Sequence, residues 1–135
     1  MKLIVYIIVA ILCISCGHSP LVSQFEGSDS VAVKFKEPAT GAVIKEVATS
    51  QAYAIQDLLR FTGSEETGQL KCGYDGNIVF YKKGIVVGDV DFSYSKDGCH
   101  HFSFMANGKL TTTKMSNEAV DFLKDLSFKT LSNQP

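Results

Sequence analysis

The stretch Cys72–Cys99, CGYDGNIVFYKKGIVVGDVDFSYSKDGC, decides the fold of this chain. It contains two segments rich in β-branched and aromatic residues, which Lys82-Lys83-Gly84 separates, and apolar and polar residues alternate over residues 89–95. Alternation with a period of two is typical of a strand that buries one face, and a short connection with glycine is typical of a hairpin. The stretch therefore predicts a long β-hairpin with a cysteine near each end of its open side.

Three turns extend this hairpin into a predicted four-strand meander. Lys82-Lys83-Gly84 and Lys96-Asp97-Gly98 are typical of three-residue connections with a left-handed glycine, and Asn107-Gly108 is typical of a two-residue type I′ turn. The resulting registers pair Tyr81 with Ile85, Phe92 with Phe102, Val90 with Phe104 and Phe102 with Thr113. They place one apolar set on a common face, which we expect to be the core. This set is Ile78, Phe80, Val86, Val90, Phe92, Tyr94, Phe102, Phe104 and Met115.

Segments on both sides of the meander complete the predicted domain, residues 30–131. Residues 30–36 alternate like a strand, and residues 42–47 are a second strand whose register the sequence leaves open. Apolar stripes at helical spacing predict helices over residues 51–61 and 117–126. We therefore expect an α+β fold: an antiparallel four-strand meander with helices packed on one face, plus an N-terminal strand or hairpin.

The N-terminus has the composition of an export leader. Lys2 precedes an uninterrupted apolar run over residues 3–14, which suits a signal-peptide core and is short for a membrane span. The run ends in Leu12-Cys13-Ile14-Ser15-Cys16, which resembles the lipobox of bacterial lipoproteins. That resemblance implies a signal peptide over residues 1–15 and a lipid on Cys16 that anchors the protein to a membrane. An ordinary cleaved signal peptide is the alternative.

The lipoprotein resemblance also implies a location in the cell envelope. Gly17-His18 lacks the aspartate that signals inner-membrane retention in that class, so the resemblance favours the outer membrane. It leaves the periplasmic face and the cell surface as alternatives. Residues 16–29 are then the lipidated cysteine and a tether, because the stretch is largely polar and without clear periodicity.

Two cysteines remain once Cys13 leaves with the leader and Cys16 carries the lipid. In an oxidising compartment this even remainder predicts a disulfide between Cys72 and Cys99. Closing a loop of about 28 residues stabilises a chain by about 3.5 kcal/mol. The alternative is a zinc site that combines the cysteines with His100 and His101, but neighbouring strand residues point to opposite faces. We expect a disulfide, and neither a metal nor another cofactor.

The charge and the motifs exclude several classes of function. The formal net charge is −1, so the chain has no excess of positive charge to neutralise phosphates, and we expect no nucleic-acid partner. A glycine-rich phosphate loop and H-E-x-x-H are absent from the sequence, and residues 17–135 contain no C-x-x-C.

The predicted sheet face opposite the aromatic core has an apolar end and a polar end. Val79, Tyr81, Ile85 and Val87 form the apolar end, which is either a partner-binding patch or a surface covered by the N-terminal strands. The polar end brings Asp91 near His101, with Ser103 beside them. These are the residue types of a hydrolase triad, but no spacing motif or oxyanion hole accompanies them.

Together these patterns favour a lipid-anchored envelope protein with a non-enzymatic binding or accessory domain and an unknown protein partner. One alternative is an inhibitor of a secreted enzyme. Another is a small hydrolase or metal-binding protein that uses His101 and Asp91.

Overall fold

The computed structural model describes residues 20–62 and 65–129. The predicted signal peptide and Cys16 therefore lie outside the described residues. The elements in chain order are α1 (Pro20–Phe25), β1 (Ser30–Lys36), β2 (Val43–Thr49), α2 (Ala52–Thr62), β3 (Glu66–Thr67), β4 (Gly76–Lys82), β5 (Ile85–Ser93), β6 (His101–Ala106), β7 (Lys109–Lys114) and α3 (Asn117–Lys129).

The described residues form one seven-stranded sheet in the order β2-β1-β4-β5-β6-β7-β3, with every neighbouring pair antiparallel. The predicted mixture of helices and an antiparallel sheet is confirmed. The predicted four-strand meander undercounts the strands of the sheet, because β1 pairs with β4 along its length and β3 pairs with β7. The β1–β2 hairpin thus continues the sheet in its own plane.

The β4–β5 turn differs from its prediction. Lys83 and Gly84 have φ values of 51° and 75°, close to the 52° and 75° of Asn107 and Gly108, so both turns are two-residue turns with left-handed central residues. The carboxylate of Asp29 accepts the N–H of Lys83 at 2.7 Å and supports this uncommon lysine conformation. Lys82 therefore faces Ile85, and the predicted pairing of Tyr81 with Ile85 was wrong.

A β-bulge next to this turn decides which β5 residues enter the core. The register shifts between Phe80 and Tyr81, so that Tyr81 faces Val86 and Phe80 faces Gly88. Val86 was predicted in the core and is instead 56% exposed. Beyond the bulge the register is displaced by two residues from the prediction, and a displacement of two keeps each side chain on its face. Ile78 and Val90 are accordingly buried, as predicted.

The helices cover one face of the sheet. Phe61 of α2 and Phe122 of α3 are in ring contact at 5.3 Å, and Leu58, Leu59, Ala119 and Leu123 are buried in the same core. Lys45 of β2 joins α3 to the sheet because its Nζ donates to the carbonyl oxygens of Leu126 and Ser127 at 2.5 and 2.6 Å. The opposite sheet face, which we call the open face, carries no helix among the described residues.

The fold begins before residue 30. Residues 20–25 form α1, and Phe25 is 1% exposed, although both lie in the predicted tether. The Phe25 ring stacks on Phe80 with centroids 4.8 Å apart. A Cβ on Gly88 would lie 2.3 Å from this ring, so the contact requires glycine at position 88. The tether prediction therefore placed too much of the chain outside the fold.

Phe25→Ala should lower the free energy of unfolding by about 3 kcal/mol, since it leaves a cavity above Phe80 and Gly88. Urea denaturation monitored by circular dichroism measures the change. Phe128→Ala is the matched control, because Phe128 is 70% exposed on α3 and its truncation should cost far less. An equal effect of the two substitutions would contradict the packing role of Phe25.

Candidate functional site

A row of polar side chains crosses the open face on all seven strands. Cross-strand pairing aligns its members in the order Glu46, Lys34, Asn77, Asp91, Ser103, Thr112 and Thr67. Lys34 and Glu46 form an ion pair at 3.7 Å at one end. Towards the other end the hydroxyls of Ser103 and Thr112 are hydrogen-bonded at 3.2 Å. At the centre of the row lie Asn77 and Asp91, whose side-chain oxygens have hydrogen-bonding capacity that the described residues do not use.

Asn77 and Asp91 lie beside Asp89 in a partly desolvated environment. Asn77 is 8% exposed; its Nδ2 donates to Asp89 at 3.4 Å, and its Oδ1 has no partner among the described residues. Burial, and then the charge of Asp89, raise the pKa of the Asp91 carboxyl, while Lys36 acts in the opposite direction. This part of the open face therefore presents oxygen acceptors and negative charge.

The predicted Ser-His-Asp constellation is not joined by hydrogen bonds among the described residues. His101 is 1% exposed, and its Nδ1 bonds to the carbonyl oxygen of Cys99 at 2.9 Å, so Nδ1 carries the proton. Its Nε2 has no partner among the described residues, and the ring of Tyr74 lies 5.9 Å away. Ser103 is bonded to Thr112 instead. The hydrogen bonds of His101 and Ser103 thus go to Cys99 and Thr112 and not to each other.

The Cys72–Cys99 disulfide is confirmed, with the Cα atoms 5.9 Å apart. The two sulfur atoms are bonded to each other, so neither is a thiolate that could bind zinc. Within residues 20–62 and 65–129, no group of three or more His, Cys, Asp or Glu side chains could hold a metal.

A set of hydrogen bonds to the Asp75 carboxylate lies next to the disulfide. The Asp75 carboxylate accepts the N–H of Tyr94 at 2.7 Å, and it accepts the N–H and hydroxyl of Ser95 at 2.8 and 2.6 Å. The disulfide and Asp75 together fix residues 72–75 to the connection between β5 and β6. This end of the open face is consequently tied down by both covalent and polar contacts.

The predicted apolar patch lies at the far end of the β4–β5 hairpin, but the bulge changes its members. Val79 is only 7% exposed, whereas Ile85 and Val87 are 71% and 39% exposed. Val86 replaces Ile85 as the residue opposite Tyr81. We call Tyr81, Ile85, Val86 and Val87 the hairpin tip. The alternative that the N-terminal strands cover the patch was wrong, because β1 lies beside β4 in the sheet.

The pairing of β5 with β6 stops before it reaches the hairpin tip. Only Asp91, Phe92 and Ser93 of β5 pair with β6, and the predicted apposition of Val90 and Phe104 is absent. Residues 85–90 therefore have a partner strand, β4, on one side only within the described part of the chain. We call the edge of residues 85–90 that faces residues 104–106, and that has no strand pairing among the described residues, the notch. The sequence carries no turn signal for it, since both strands continue past the point where pairing stops.

Comparisons with protein-family models, with curated proteins and with solved structures return no match. No helix in residues 20–62 or 65–129 is both long enough and apolar enough to cross a membrane.

Asp91→Asn should raise the free energy of unfolding at pH 7, because it removes a partly buried negative charge beside Asp89. The raised pKa means that folded Asp91 holds its proton more tightly than the unfolded chain does. The contribution of Asp91 to the free energy of unfolding of the wild-type protein therefore falls as the pH rises from the pKa of the unfolded state to that of the folded state. The advantage of Asp91→Asn should shrink below about pH 3, where Asp91 is protonated in both states.

Urea denaturation at pH 7 and pH 3 tests this expectation. Asp97→Asn, at an exposed position in the β5–β6 connection, is the control and should change little at either pH. Loss of stability in Asp91→Asn at pH 7 would show that the carboxylate makes a stabilising contact.

Proposed function

We propose that the protein is a lipid-anchored protein of the bacterial cell envelope that binds another protein through the hairpin tip and catalyses no reaction. The lipobox resemblance around Cys16 supports the anchor and favours the outer membrane. The observation that carries the binding role is the exposure of three consecutive apolar residues, Ile85, Val86 and Val87, in a part of β5 that pairs only with β4 among the described residues. Removing such a surface from water favours association with a partner.

The β2 edge of the sheet differs from the hairpin tip in the charges that follow its exposed apolar residues. Strand β2 also exposes apolar residues, Val43 and Ile44, but Lys45 and Glu46 follow them directly. Charged side chains in an edge strand oppose pairing with other chains, and proteins commonly protect edges in this way. On β5, two apolar residues and a glycine separate Ile85 from the first charge, Asp89. The hairpin tip is the less protected surface.

The inhibitor and hydrolase alternatives are supported to different degrees by the contacts of the described residues. Inhibition of a secreted enzyme is one form of protein binding, and the same surface would serve it. A hydrolase that uses His101 and Asp91 finds less support, because the His101 ring is buried and Ser103 is bonded to Thr112.

The anchor is tested on Cys16. Cys16→Ser should move the protein out of the membrane fraction, since the serine cannot take the thioether-linked lipid. Mass spectrometry of the wild-type N-terminus should find an acylated Cys16, and Cys13→Leu, which leaves Cys16 in place, should remain in the membrane fraction. An unmodified N-terminus that begins beyond Cys16 would refute the lipoprotein assignment.

The binding role is tested by in-cell cross-linking and affinity capture with Ile85→Lys. This substitution places a charge in the hairpin tip and should reduce recovery of the partner at least tenfold. Ile44→Lys is the matched control, because Ile44 is 67% exposed on an edge strand and lies away from the tip. A partner that both variants recover equally would not bind at the tip, and the proposed function would fail.

A further inference from the structure

The backbone of β5 at the notch has hydrogen-bonding capacity that the described fold leaves unused. In an antiparallel strand, alternate residues direct their N–H and C=O groups towards opposite neighbours. Residues 85–90 have β4 on one side, while pairing with β6 begins only at Asp91. Half of their backbone groups therefore face the notch. On the helix side Phe25 lies against Gly88 and closes the space beneath, so the approach to this edge is from the sheet plane and the open face.

We propose that the partner contributes an extended segment that pairs as an additional β-strand with residues 85–90, carrying apolar side chains against the hairpin tip and a basic side chain beside Asp89. This inference rests on the proposed function and specifies its partner. Strand addition to a free sheet edge uses main-chain hydrogen bonds for affinity and alternate side chains for specificity.

Charge favours a basic side chain at one position of that segment. Asp89 is exposed and Asp91 is half-buried on the same side of β5, two residues apart. The Oδ1 atom of Asn77, which has no partner among the described residues, lies opposite Asp91 in the adjoining strand. A lysine or arginine would supply positive charge and N–H donors to this set of acceptors. Of the nearby lysines, Lys34 is engaged with Glu46, and the charge of Lys36 only partly offsets the effects that raise the pKa of Asp91.

The same charges argue against a second copy of this chain as the occupant. A copy that presented its own β5 edge would bring another Asp89 and Asp91 into the notch, and like charges across paired strands are destabilising. Size-exclusion chromatography with light scattering distinguishes this case: a concentration-dependent dimer that Ile85→Lys abolishes would overturn the proposal of a separate basic partner.

The test uses the intact protein in detergent and a synthetic probe, an acetylated and amidated nonapeptide whose side chains on the open-face side are valines with one lysine at the position beside Asp89, and whose other side chains are threonines. Hydrogen exchange should show at least tenfold slower exchange of backbone amides within residues 85–90 when the probe is bound. A probe with alternate backbone amides N-methylated on its pairing edge should not bind. A probe with glutamate in place of lysine should bind roughly fivefold more weakly or worse, as expected when a charge attraction is replaced by repulsion.

Asp89→Asn should weaken binding of the lysine probe by a similar factor, and Asp97→Asn should leave it unchanged. Protection in β2, or equal binding of the N-methylated probe, would overturn strand addition at β5. Exchange measured on the complex with the captured cellular partner separates the two proposals. If capture depends on Ile85 but residues 85–90 exchange freely, the binding role stands and strand addition fails. If the probe adds to β5 but capture is indifferent to Ile85, the proposed function fails and the edge remains a strand acceptor.

Discussion

The contact of Phe25 with Phe80 and Gly88 is the constraint on which the arrangement around the hairpin depends. Gly88 has no side chain, and the Phe25 ring occupies the space where a Cβ would be. For Gly88 to stand opposite Phe80, one extra residue must be accommodated between it and the two-residue turn, and the bulge accommodates it. The same bulge puts Val86 opposite Tyr81 in solvent. The packing that brings α1 onto the sheet and the exposure of the hairpin tip are thus two results of one register.

Local signals in the sequence were sufficient for the parts of the fold that depend on neighbouring residues. The Asn107-Gly108 turn sets Phe102 opposite Thr113, and the apposition of Phe92 and Phe102 also holds. Alternation identified the core face even where the register was wrong, because an error of two residues does not exchange the faces of a strand. The disulfide followed from counting the cysteines outside the predicted leader and lipidation site.

The features that sequence reasoning missed depend on contacts between distant residues. The left-handed conformation of Lys83 is supported by Asp29, which is 54 positions away, and nothing near Lys83 indicates it. The pairing of β1 with β4 and the burial of Phe25 likewise join segments far apart in the chain. The notch depends on where the pairing of β5 and β6 stops, and both segments continue as strands beyond that point. The location of the candidate surface was therefore predictable to the hairpin, whereas its membership and its free edge were not.

The route of the chain relates the hairpin tip to the proposed anchor. The Asp29 N–H donates to the carbonyl oxygen of Tyr81 at 2.9 Å, so the chain enters the sheet directly beside the tip. Four residues from Cys16 to Pro20 span at most about 14 Å in any conformation, and α1 adds about 9 Å of helix. If Cys16 carries the lipid, the tip lies within a few nanometres of the membrane surface. A partner that reaches the notch must then present its extended segment close to the lipid, which favours a membrane-associated protein over one that diffuses freely.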